Sequence, residues 1–103
     1  MTDVENFNLT LKKAEKGDSN AQCTIGYYYE TGKGVTKNIY EAVRWYEKSA
    51  NQGNAIALYN LGCCYFNGNG VKRDYKLALK YYKFVQASFS SNYFYNTLHL
   101  LVL

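Results

Sequence analysis

The chain writes one loop twice. Glu30 to Asn38 reads ETGKGVTKN, and Phe66 to Asp74 reads FNGNGVKRD, 36 residues later. The same shift places Gly17 on Gly53, Ala21 on Ala57, Gly26 on Gly62, Tyr29 on Tyr65 and Ala42 on Ala78. It places Gly32 on Gly68, Gly34 on Gly70, Val35 on Val71 and Tyr46 on Tyr82, with Ile25 on Leu61 and Trp45 on Tyr81 as similar pairs. Self-similarity at one fixed period is the mark of a chain that stacks a small unit on itself. A single unit of this length cannot bury its own apolar face, so neighbours must cover it.

Each unit reads as two helices. The spacing predicts a first helix, A, over 19–30 and again over 55–67, and a second, B, over 39–51 and again over 75–87. Asp18 and Asn54 stand where caps for helix A belong, and Asn38 and Asp74 where caps for helix B belong. Glu41, three residues after Asn38, predicts a capping box. The glycines at 32 and 34, and at 68 and 70, end helix A, because glycine takes the left-handed conformation cheaply. Ala21, Gly26 and Ala42, with Ala57, Gly62 and Ala78, are small residues where helices must touch. A mid-helix glycine costs about 1 kcal/mol against alanine, so its recurrence implies a packing reason. Tyr29 and Tyr65, with Trp45 and Tyr46, fill the volume around them.

The frame Ala21, Ile25, Gly26, Tyr29, Gly32, Gly34, Val35, Ala42, Trp45, Tyr46, Ala50, Gly53 closely resembles the Sel-1-like repeat, a relative of the tetratricopeptide repeat. The resemblance covers residues 14–88. It implies an all-α fold, an α/α superhelical solenoid of antiparallel helix pairs. It also implies a non-enzymatic scaffold or adaptor that holds other proteins together, for example in signalling. On this reading residues 18–53 and 54–88 are two repeats. Residues 1–17 form a cap helix or a partial repeat, and residues 89–103 a degenerate or truncated third. Phe89, Tyr93 and Leu98 stand there where glycine, alanine and glycine are due. The stretch FSSNYFYNTLHLLVL carries no charge, so it is expected to associate if exposed.

By the same resemblance, the variable side of helix A lines a groove for a peptide or helix from a partner. The residues expected there are Asn20, Cys23, Tyr27 and Glu30 from the first repeat, and Ile56, Tyr59, Cys63 and Phe66 from the second. The alternative is that these side chains only cover neighbouring helices. Lys72, Lys76, Lys80 and Lys83, with Arg73, load helix B of the second repeat. A solvated outer face is the plainer reading, and an acidic partner the other. No nucleic-acid signature accompanies these cations, so no nucleic-acid partner is expected.

Composition narrows the classes further. The net charge is +4, too little to imply nucleic acid or a membrane surface by itself. No stretch has the apolar run that a membrane span needs. The first residues, MTDVENFN, lack the pattern of a secretory signal. Three cysteines with no such signal suggest free thiols and a cytoplasmic location. His99 is the one histidine, and Cys23, Cys63 and Cys64 do not have a zinc spacing. No metal, cofactor or catalytic residue is expected. The resemblance also admits a cysteine-rich branch whose helix pairs are stapled by disulfides and linked to β-lactam hydrolysis. Here Cys23 aligns with Tyr59, and Cys63 and Cys64 with Tyr27 and Tyr28, which disfavours that branch.

Overall fold

A computed structural model describes residues 1–88. The degenerate third repeat, the apolar end and His99 lie outside the described residues. Five helices follow one another: α1 (Asp3–Glu15), α2 (Ser19–Thr31), α3 (Ile39–Ala50), α4 (Ala55–Asn67) and α5 (Tyr75–Ser88). There is no strand among the described residues. Helices A are α2 and α4, and helices B are α3 and α5. The fold is an α/α solenoid, as the frame implied.

The helix starts are chemically explicit. Asp18 Oδ1 accepts from the Ala21 amide at 2.9 Å, and Asn54 Oδ1 from the Ala57 amide at 3.0 Å. Asp74 Oδ1 accepts from the Leu77 amide at 3.0 Å. Such caps satisfy donors that the helix cannot reach, at about 1 kcal/mol each. Asn38 caps α3 through the Tyr40 and Glu41 amides, but the expected capping box is absent. The Asn38 amide instead donates to the Tyr29 carbonyl at 2.8 Å, and Glu41 pairs with Arg44. The Asp74 amide makes the same link to Tyr65 at 2.8 Å. The cap of each helix B is therefore tied to the end of its helix A, which leaves the glutamate nothing to accept. The capping box occurs at α1, between Thr2 and Glu5.

Gly32 and Gly68 close the helices A in the left-handed conformation, at φ of +73° and +69°. The mid-helix glycines explain themselves by contact. A Cβ on Gly26 would lie 2.6 Å from the Tyr46 ring, and one on Gly62 2.7 Å from the Tyr82 ring. Each pair thus closes tyrosine on glycine. Two apolar clusters result. One joins Phe7, Ala14, Ala21 and Ile25 beneath Trp45. The other joins Ala42, Val43 and Tyr46 of α3 to Ala57, Leu58 and Leu61 of α4. Polar ties set the axial register of the first pair. The buried Ser49 hydroxyl donates to the Ser19 carbonyl at 2.7 Å, and Gln52 Nε2 donates to Gly17 O and Gln22 Oε1, both at 2.9 Å.

Candidate partner-binding surface

The sequence expected eight side chains in one groove. The structure divides them. The first group lies between α2 and α4, where a hollow of about 380 Å³ opens. Asn20, Cys23 and Tyr27 reach it from α2, and Ile56 from α4. Thr24, Asn54 and Asn60 complete its lining. The sequence reading missed these three, although Asn60 is the copy of Thr24 one period later. Asn54 Nδ2 donates to Asn20 Oδ1 at 2.8 Å while its oxygen caps α4, so one side chain joins the two helices. Tyr27 and Ile56 remain half or more exposed on either side.

The second group turns towards α5. Tyr59 packs on Tyr82 with ring centroids 5.9 Å apart, and Phe66 on Tyr75 at 5.1 Å. The Tyr82 hydroxyl donates to Cys63 Sγ at 3.6 Å. Tyr59, Cys63 and Phe66 therefore cover a neighbouring helix while keeping exposed edges. Glu30 departs from both groups. It accepts from the Tyr46 hydroxyl and borders a separate hollow with Lys37, Tyr40 and Asn69.

Cys23 was expected on an open wall, but it is buried in the core between the repeats, with only its edge at the hollow's floor. Burial pushes its thiol up to about 11. Cys64 is also pushed up to about 11, first by burial and then by the charges of Glu30 and Cys63. Tyr82 rises to about 12, by burial and then by its bond to Cys63. Burial and the bond to Glu30 hold Tyr46 in its neutral form. All three cysteines are free. Because a reagent must reach the sulfur, and burial holds Cys23 and Cys64 as thiols, alkylation at pH 8 is expected to modify the part-exposed Cys63 first. Cys23 and Cys64 should react only on unfolding. Mass spectrometry should count one fast label in native protein and three in denaturant; fast labelling of Cys23 would overturn its placement.

The frame residues Ala21, Gly26, Ala42, Ala57, Gly62 and Ala78 are buried. Tyr29 meets Phe7 edge-on at 5.5 Å, and Tyr65 stacks on Tyr81 at 5.7 Å. Lys72, Arg73, Lys76, Lys80 and Lys83 are all exposed. No helix among the described residues is long and apolar enough to cross a membrane.

Similarity to known proteins agrees with this architecture. The Sel1 repeat family matches at residues 19–54 and 55–84. The crystal structure of a Sel1 repeat protein from Oxalobacter formigenes superposes with a TM-score of 0.82 at 37% identity, covering 84% of this chain and 36% of that one. A protective antigen with an SLR fold from uropathogenic Escherichia coli gives 0.80 at 33% identity, covering 92% of this chain and 20% of that one. Cysteine-rich protein B of Helicobacter pylori gives 0.82 at 25% identity, covering 89% and 69%. A chitin synthase regulator of Saccharomyces cerevisiae is 48% identical over 46 residues, which are 45% of this chain and 7% of that protein. The chain thus spans well under half the length of the Oxalobacter, Escherichia coli and yeast proteins, and about two thirds of the Helicobacter protein.

Proposed function

Because the chain belongs to the Sel1 repeat family, we propose that it is an adaptor module that seats a peptide or helix from a partner protein on its α2–α4 face. Sel1 repeats in general are protein-interaction modules rather than catalysts. The observation that carries the reading is the hollow between Tyr27 and Ile56. Two large apolar side chains stand exposed on either side of a floor edged with Asn20, Asn54 and Asn60. Apolar anchors beside a few amides are what an extended or helical ligand needs: burial for affinity, hydrogen bonds for register. The similarity to a yeast regulator fits an adaptor role. The three free thiols fit a reducing compartment such as the cytoplasm.

The test is paired capture from the source cell with the intact chain and with Tyr27→Ala plus Ile56→Ala. Losing two central anchors is expected to weaken a true partner by about 30-fold or more. Both side chains are exposed, so helix content should be unchanged by circular dichroism. Equal capture of every bound protein by a correctly folded variant would rule the face out.

A further inference from the structure

α5 carries a charge pattern that no other described helix shares. It holds Lys76, Lys80 and Lys83, while residues 75–103 contain no Asp or Glu. At about 100° per residue the three lysines lie within about 60° of one another. Their side of α5 is opposite Ala78, which is 1% exposed. Lys72 and Arg73 continue the row into the preceding loop, and all five cations are exposed. Asp74, the acid beside them in sequence, gives its Oδ1 to the Leu77 amide. One period earlier the same places on α3 hold Tyr40, Arg44 and Glu47. There the charge is balanced: Arg44 pairs with Glu41 at 2.7 Å, and Glu47 stands beside Lys48. α3 also shows where the row points. α4 packs on it, yet Tyr40 stays 71% exposed and the Arg44 side chain 64%. α1 agrees, since α2 packs on it and Val4 and Asn8 at these places stay exposed. This register therefore faces outward even where a following pair is in place.

We propose that Lys76, Lys80 and Lys83 form a docking row for an acidic helix of a partner protein, with carboxylates at matching i, i+4 and i+7 places. Like charges in one row repel, and an acidic face set against them removes that cost and adds attraction. A helix rises 1.5 Å per residue, so the row is about 10 Å long, and a second helix laid along it repeats the same spacing. The partner is narrow rather than broad. Glu47, at the place on α3 that Lys83 takes on α5, would repel a wide anionic surface such as a bilayer. A single helix on α5 avoids it. Nucleic acid fits less well, because bases want an open aromatic face. Tyr75, at the start of the row, has Arg73 over its ring at 5.4 Å and Phe66 against it at 5.1 Å. The row is separate from the α2–α4 hollow and does not depend on what fills it.

The test offers the full chain three probes: a synthetic alanine-rich helix with one row of glutamates, single-stranded polyuridylate, and vesicles containing phosphatidylserine. The glutamate helix should bind best, and raising salt from about 0.05 M to about 0.5 M should weaken it about tenfold or more. Carbodiimide cross-links from its carboxylates, mapped by mass spectrometry, should fall on Lys76, Lys80 and Lys83 ahead of the other lysines. Lys76→Gln, Lys80→Gln and Lys83→Gln together should weaken binding about tenfold or more. Lys12→Gln, Lys13→Gln and Lys16→Gln together remove the same charge from the end of α1, and should weaken it less than about threefold. All six side chains are exposed, so both variants should keep their helix content by circular dichroism. Equal loss in the two variants would mean that net charge alone attracts the helix, and would overturn the row. So would scattered cross-links, tighter binding of polyuridylate or vesicles, or no binding of the glutamate helix at low salt.

Discussion

Tyr46→Ala is expected to lower stability by about 3–5 kcal/mol, the range for removing a large ring from a closed core. A domain of this size holds about 5–15 kcal/mol in total, so the variant loses a large share of it and should unfold at a much lower urea concentration. Tyr46 is fully buried, and its ring fills the space that Gly26 leaves. Its hydroxyl donates to Glu30, and its neighbours come from both repeats. Tyr82→Ala is the internal control. That ring makes the same contact with Gly62 but is only partly buried, so its loss should cost about 1–2 kcal/mol. Urea unfolding of both variants, followed by circular dichroism, measures the difference. Equal losses would mean that the second repeat does not shield Tyr46.

Gly34→Ala should cost about 3 kcal/mol and detach α1. The left-handed φ of +74° accounts for about 1 kcal/mol. The remainder comes from overlap with the Asp3 carbonyl, which can only be relieved by moving the helix. Gly32→Ala separates the two effects. Its φ is nearly the same at +73°, but its nearest neighbour is Lys37 Cβ at 3.3 Å, a contact that a shift of the exposed loop by a few tenths of an ångström relieves. About 1 kcal/mol is expected there. Trp45, the one tryptophan, packs on the cluster that holds Phe7. Its emission should therefore shift red in Gly34→Ala and stay in place in Gly32→Ala. The same emission in both variants would show that α1 is not held by the loop.

The sequence carried the helices well and the surface only in part. The ends of α2 to α5 fall within about a residue of their expected places, because the caps and the paired glycines state them locally. Asn38 shows the limit of local rules: Glu41 sits at capping-box spacing, yet the Asn38 amide is taken by Tyr29, a tertiary bond that no spacing reveals. Cys23 shows another. A helical wheel has one inside and one outside, whereas α2 is packed from two sides, by α1 and α3 and then by α4. A residue opposite the first packed stripe can therefore still be interior. Tyr59 occupies the same wheel position one period later and is open, since the described chain places no further pair over it. Burial along a stacked array depends on rank in the stack as well as on periodicity.

Each helix packs chiefly on its immediate neighbours in the chain: α1 on α2, α2 on α3, α3 on α4 and α4 on α5. Almost nothing waits for a distant segment to arrive. Low contact order of this kind favours fast folding, and it also suits synthesis from one end. As the chain leaves the ribosome, α3 can close on α2 through Tyr46 and Gly26 before α5 has emerged. The newborn protein would thus shelter its apolar surface one turn at a time.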